Sequence, residues 1–438
     1  MRGAVGLIAV ALLLVLAALA AAAPWLMPAH DDTTLRVAAA AIFVASYAAL
    51  AVGKVPGLSI DRAGVALVGA CLMVACGAMT LPDAYKAVDF NTITLLLGMM
   101  ILVANLRLSG FFALINAWVA QRAHRPLVLL AAIVAVSGLF SAFLVNDAIC
   151  LVLAPLVAEL AVGLRRNPLP YLLAVAMASN VGSTATITGN PQNMMIGSFS
   201  GIPYAAFAAS LGPVALVGLV LTVALLAVMH RNEFRRGAER LDLHPRRVRT
   251  NQALLLRALA ATAVLVVLFF AGQRPAKAAI IIGALLLLTR RVRSTRIYAE
   301  IDWSLLLMFS GLFIIVAGAE RTLLTPAVVQ DANRLHLAAV PVLSGVTAVL
   351  SNLVSNVPAV LVLKPFIAAL PDQARAWKVV AMASTLAGNF TILGSVANLI
   401  VVEQAARRGV AIGFWDYFRV GAPLTVLTIA LGTLWLMR

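Results

Sequence analysis

Val145-Asn146-Asp147-Ala148-Ile149-Cys150-Leu151-Val152-Leu153-Ala154-Pro155 returns, at a constant offset of 210, as Ser355-Asn356-Val357-Pro358-Ala359-Val360-Leu361-Val362-Leu363-Lys364-Pro365. Asn, Leu-Val-Leu and Pro hold one register in both copies. Each copy lies in the middle of an apolar stretch, 127 to 164 and 338 to 370, too long for one bilayer crossing and too short for two. Unpaired backbone in hydrocarbon costs several kcal/mol per group, so polar residues at such a turning point belong where protein or a cavity covers them. Both stretches therefore read as re-entrant hairpins with polar tips.

A second pair of motifs lies beyond each hairpin. Ala178-Ser179-Asn180-Val181-Gly182-Ser183-Thr184-Ala185-Thr186-Ile187-Thr188-Gly189-Asn190-Pro191-Gln192-Asn193 corresponds to Ala387-Gly388-Asn389-Phe390-Thr391-Ile392-Leu393-Gly394-Ser395-Val396-Ala397-Asn398 when four residues are gapped. Gly189-Asn190-Pro191 predicts a broken helix within 171 to 199, because Pro191 has no N–H and Gly189 tolerates unusual dihedrals. Gly394-Ser395 predicts a weaker break within 377 to 403. Upstream, Val88-Asp89-Phe90 precedes a span and Arg107, as Ile301-Asp302-Trp303 precedes a span and Arg321. The chain thus divides into two repeats, 1 to 230 and 253 to 438, joined by a basic linker at 231 to 252.

Composition agrees with this reading. Of 438 residues, 63% are apolar and 11% charged, and the mean hydropathy is +1.01. Soluble domains carry roughly 45–50% apolar and about 25% charged residues, so the fold class is an all-α polytopic membrane protein. Apolar runs near 4 to 23, 36 to 53, 63 to 79, 91 to 107, 171 to 199, 205 to 229, 253 to 272, 278 to 289, 303 to 318, 377 to 403 and 417 to 437 give about eleven transmembrane helices beside the two hairpins. Residues 4 to 23 read as an uncleaved span in preference to a signal peptide.

The net charge of +16 comes from basic bursts between apolar runs, which speaks for cytoplasmic loops rather than for nucleic acid. An amino terminus inside the cell membrane places the basic loops 54 to 62, 122 to 126, 165 to 166, 231 to 251, 290 to 296 and 407 to 408 in the cytoplasm. The first hairpin then enters from inside and the second from outside, so the repeats are inverted. Cys71, Cys76 and Cys150 lie in apolar segments, and the five histidines have no ligand spacing, so neither a disulfide framework, a metal nor another cofactor is expected.

Two tips and two breaks at one repeat interface make one polar site. Its candidate residues are Asn146, Asp147, Ser183, Thr184, Thr186, Gly189, Asn190, Asn193, Ser355, Asn356, Asn389, Thr391, Gly394, Ser395 and Asn398. Asn146 and Asn356 are suited to cap the helices that follow them, leaving positive dipole ends that favour a small anion. Side-chain oxygens of Asn, Ser and Thr, with freed carbonyls, equally suit sodium, near Asn146, Asn193, Asn356 and Asn398. Asp147 is the acidic residue placed at mid-membrane depth, where a carboxylate that exchanges a proton couples transport to a proton gradient. The alternatives are structural: an Asp in a first helical turn, Asn as interhelical glue, Ser and Thr bonding back to their own helix. Lys364 reads as snorkelling to the outer edge, and Arg107 and Arg321 as anchors of span ends.

These paired motifs resemble the arsenite permease and sodium/proton antiporter family, with its citrate-transporter-like relatives, over residues 37 to 438. The resemblance implies an elevator-type secondary transporter, usually a homodimer, in which a moving domain carries both hairpins. Asn146-Asp147 and Ser355-Asn356-Val357 stand where the dicarboxylate/sodium branch reads Ser-Asn-Thr. The expected function is proton- or sodium-coupled transport of a carboxylate or inorganic oxyanion, with arsenite efflux or sodium/proton exchange as the alternative. An intramembrane enzyme is disfavoured, because no His accompanies a mid-membrane Ser and no Walker-type loop exists.

Overall fold

A computed structural model of the protein describes residues 32–52, 60–122, 125–235, 250–288, 292–323 and 335–438. The expected first span at 4 to 23 and most of the 231 to 252 linker lie outside the described residues. The described elements are helices, with no strand among them. The first repeat runs through α1 (Asp32–Val52), α2 (Arg62–Ala75), α3 (Leu81–Ala87), α4 (Phe90–Ser109), α5 (Phe111–Arg122), α6 (Pro126–Phe143), α7 (Asn146–Gly163), α8 (Pro168–Ser183), α9 (Pro191–Ser200) and α10 (Tyr204–Met229). After α11 (Arg231–Arg235), the second comprises α12 (Gln252–Phe270), α13 (Pro275–Leu287), α14 (Ser294–Tyr298), α15 (Trp303–Leu323), α16 (Val340–Val354), α17 (Asn356–Ala368), α18 (Gln373–Ala387), α19 (Val396–Ala406) and α20 (Phe414–Leu436).

The two repeats clasp each other. α4 packs on α12 and α13 of the second repeat, and α15 packs on α1 and α2 of the first. At both crossings a glycine lets backbones touch: a Cβ on Gly98 would lie 2.5 Å from the Ala279 carbonyl carbon, and one on Gly311 would lie 2.6 Å from that of Ala66. Gly98 and Gly311, like Ala66 and Ala279, are 213 positions apart, so one contact is the two-fold image of the other. Ion pairs repeat the reciprocity at the ends: Arg107 on α4 pairs with Glu300, and Arg321 on α15 with Asp83 on α3. These arginines therefore join the repeats as well as marking span ends.

Each hairpin packs on the broken helix of its own repeat: α6 and α7 on α8, α16 and α17 on α18. The arms of the two re-entrant hairpins differ in length. α6 and α7 have 18 residues each, about 27 Å of helix, and both are long and apolar enough to cross a bilayer. α16 and α17 have 15 and 13. Eight described helices meet the length and apolarity of a span. Of the expected eleven, 63 to 79 and 278 to 289 form shorter helices of 14 and 13 residues, and 171 to 199 and 377 to 403 are each split in two.

Lys364 and Phe199 are both half-buried. The Lys364 ammonium lies 4.9 Å from the centre of the Phe199 ring, within cation–π range.

Candidate functional site

The split in α8–α9 has a local cause and a close copy. Thr186 and Thr391 take the same extended backbone (φ −139°, ψ 165° and φ −136°, ψ 166°), a single 3₁₀ turn follows each, and Asn190 and Ser395 are again extended before the helix resumes. Asn190 caps α9 by accepting from the Asn193 N–H at 2.8 Å, with Pro191 at the first helical position. The Asn193 amide braces the break by donating to the carbonyls of Ser183 (3.1 Å) and Thr186 (3.0 Å); Asn398 does the same to Gly388 (2.7 Å) and Thr391 (3.1 Å). These partners keep an offset of 205 without a gap, which corrects the four-residue gap inferred from sequence. Matching Asn180 to Asn389 by identity misplaced the register; the residue equivalent to Asn180 is Thr385.

The corrected register exposes a reciprocal contact at the repeat axis. Ser395 Oγ donates to Asn180 Oδ1 at 3.2 Å, and Asn190 Nδ2 donates to Thr385 Oγ1 at 3.1 Å. Asn180 is the hub. It accepts from Asn146 Nδ2 at 3.2 Å and donates to Asn389 Oδ1 (2.9 Å) and Asn398 Oδ1 (3.0 Å), all buried. Asn180 and Gln192 belong to the 178 to 193 motif but not to the candidate residues, and Thr385 lies outside both motifs; the Gln192 amide donates to Thr385 Oγ1 at 3.2 Å.

The tip asparagines are not caps. Val145 and Ser355 occupy the cap positions and provide no side-chain cap, while Asn146 and Asn356 begin α7 and α17. The Asn146 amide turns to Asn180 instead. Asn356, with its nitrogen facing acceptors, donates to the carbonyls of Ser384 (3.1 Å) and Gly394 (3.3 Å). The first backbone N–H groups of both helices are thereby left without intrahelical partners. Ser355 has φ 78° and ψ 159°, a conformation that favours glycine and marks strain at the second tip.

A cavity of about 40 Å³ gathers these ends. Asn146 and Asp147 of α7, Pro191 and Gln192 of α9, Asn356 and Val357 of α17, and Ser395 and Val396 before and in α19 line it, so four helix N-termini converge on one space. Its opposite wall is Leu50, Arg62, Leu305, Met308 and Phe309 from α1, α2 and α15. Arg62, expected in a cytoplasmic loop, is the first residue of α2 and faces this cavity because Asp61 starts the helix by accepting from the Gly64 N–H at 2.8 Å. Neither Asp147 nor Arg62 hydrogen-bonds or ion-pairs with another described residue, and Asn146 Oδ1 is buried without a partner. A second cavity, about 90 Å³, is lined by Asp147, Asp302, Glu300 and Arg107 among others.

Other candidates stand behind the cavity wall. Ser183 and Thr184 bond back to the Asn180 carbonyl at 2.8 and 3.2 Å, and Thr186 bonds to the Ala142 carbonyl. Gly189, Asn190, Asn193, Asn389, Thr391, Gly394 and Asn398 shape or brace the breaks and do not line the cavity. Asp89 and Asp302 each accept from a backbone N–H at the start of α4 and α15.

Sequence comparison gives the family of this chain. The profile of the citrate transporter family (CitMHS) matches residues 47–387. The chain belongs to this family. Among relatives of this citrate transporter family member, the 46 kDa membrane protein of Mycobacterium leprae is 30% identical, covering 92% of this chain and 98% of that protein. The silicon efflux transporter LSI3 of rice (Oryza sativa subsp. japonica) is 30% identical over 86% of this chain and 93% of its own. The crystal structure of the Alcanivorax borkumensis YdaH transporter shares the fold at 14% identity, with a TM-score of 0.57 and coverage of 92% and 97%. The family member is a multi-pass membrane transporter.

Proposed function

We propose that this transporter is a secondary active carrier that moves a compact anion, an inorganic oxyanion or small carboxylate, across the cell membrane in exchange for or together with protons. The convergence of four helix N-termini on one small cavity supports this reading most directly. Each end carries about half a positive charge and free N–H donors. The cavity has room for about three water-sized spheres, which favours a compact solute over a bulky one.

Asp147 is the coupling group in this proposal. It lines both cavities, the second of them together with Asp302, Glu300 and Arg107. Sodium is the alternative coupling ion, supported by the orphan Asn146 Oδ1 beside the same cavity. The two hairpins and broken helices would form the moving unit of an elevator in a homodimer, with the amino terminus cytoplasmic. A second reading, efflux of an uncharged oxyacid such as arsenite or silicate in its protonated form, is supported by the likeness to the rice silicon efflux transporter.

The test is thermal unfolding of purified protein with citrate, succinate, sulfate, phosphate and arsenite, each with and without sodium. A ligand at 100 times its Kd adds ~2.7 kcal/mol. A shift with one anion is expected. Proteoliposomes then carry the same solute under a pH gradient, and Asp147→Asn is expected to abolish gradient-driven accumulation; full accumulation by that variant would remove Asp147 from the mechanism.

A further inference from the structure

We infer that Arg62 is the anion-binding cation of this transporter and that the solute is recognised in its charged form. The inference rests on the carrier reading above and deepens it. Arg62 is the one cationic side chain among the residues lining the central cavity, and Asp147 the one acidic side chain. The guanidinium is half-buried and makes no hydrogen bond or ion pair with a described residue. Its neighbour Asp61 is occupied at the start of α2, where it accepts from Gly64. A guanidinium withdrawn from water without a partner is costly, and five N–H donors in a planar fork suit the paired oxygens of a carboxylate or oxyanion. The groups that share the cavity with it are the Asp147 carboxyl, helix N-termini and the amides of Asn146, Gln192 and Asn356, and the helix ends and amides favour an anion as well.

Position gives Arg62 a distinct part. The other polar lining groups sit on the hairpins and broken helices, whereas α2 is held against α15 at the Gly311–Ala66 contact and against α1. The solute is thus gripped from two sides: amides and N–H groups on the hairpin side, a positive charge on the α1–α2–α15 side. An uncharged oxyacid would gain little from the guanidinium. The charge of the solute is therefore what Arg62 reads.

The experiment titrates purified full-length wild type, Arg62→Gln, Arg62→Lys, Asp147→Asn and the Arg62→Gln/Asp147→Asn pair with sulfate, phosphate, citrate and arsenite by calorimetry. Unfolding without ligand reports whether each variant is folded. For the anion that wild type binds, Arg62→Gln is expected to raise Kd about tenfold to a hundredfold, the loss of a charged hydrogen-bonding partner. Arg62→Lys, which keeps the charge and loses the fork, is expected to fall between. The same factor is expected on the Asp147→Asn background.

Arg62→Gln with wild-type Kd overturns the inference and leaves the carrier reading standing. So does an effect that vanishes on the Asp147→Asn background, since Arg62 would then serve only to neutralise Asp147. Wild-type binding of arsenite alone at neutral pH, unaffected by Arg62→Gln, overturns recognition of a charged solute. Wild type that binds none of the four refutes the anion-carrier reading and the inference with it.

Discussion

Asn180→Ala removes one of the groups on which the two repeats meet. Four hydrogen bonds end on Asn180: those from Asn146 and Ser395 to its oxygen, and those from its nitrogen to Asn389 and Asn398. The variant orphans four buried groups at once. At ~1–3 kcal/mol for each group in a soluble core, the loss would be ~4–12 kcal/mol. In a bilayer the unfolded reference state also finds partners, and such bonds average ~0.6 kcal/mol with a maximum of ~1.7. The second scale governs a membrane-embedded hub, so the expected loss is ~2–7 kcal/mol. Equilibrium unfolding of the purified protein in mixed micelles, followed by circular dichroism, measures it. Ser137→Ala is the control, because that buried hydroxyl has no partner among the described residues and its removal is expected to be neutral or slightly stabilising. On an Asn398→Ala background the cost of Asn180→Ala should fall by ~0.5–2 kcal/mol, since the two share a bond. An Asn180→Ala variant no less stable than Ser137→Ala would refute the hub.

The crossings and tips give further expectations. Gly98→Ala and Gly311→Ala should each destabilise by ~1–3 kcal/mol through backbone clash, while Gly212→Ala, with open space beside it, should be neutral or gain ~0.5–1 kcal/mol; melting curves of the three decide. Ser355→Gly should relieve the left-handed backbone, worth ~1–3 kcal/mol, and raise the Tm; a lower Tm would show that the serine is not strained. Hydrogen bonding from Arg321 and then Thr80 holds the Asp83 carboxyl below its usual range. A carboxyl whose pKa is lower folded than unfolded stabilises the fold above the unfolded value, near 4, and loses that contribution as pH falls toward the folded value. The Tm of wild type should therefore drop more steeply below about pH 4 than that of Asp83→Asn, and parallel acid profiles would dismiss the pair.

Much of the site was legible before any coordinates. Asn146 and Asn356 announced two equivalent tips because an amide at the centre of an apolar run has no cheap reason to be there. Gly189-Asn190-Pro191 announced a break because backbone chemistry allows little else, and the helix is interrupted from Thr184 to Asn190. The match of Asn180 to Asn389 was misleading for a physical reason: identity records side-chain type, whereas the equivalent position, Thr385, makes its half of the reciprocal contact with a hydroxyl instead of an amide. Arg62 was read as a loop arginine because topology counts charges and does not say which way one points.

Composition and repeated motifs thus determined by themselves that the chain is a helical membrane protein with two related halves and polar residues at matched depths. Those properties are local, set by hydrocarbon's intolerance of unpaired polar backbone. Which side chains share a cavity, which only brace the helices behind it, and which wall carries the positive charge depended on how α2, α15 and the two hairpins pack. Such contacts join residues some 200 to 300 positions apart, and no local rule of propensity or spacing reaches that far.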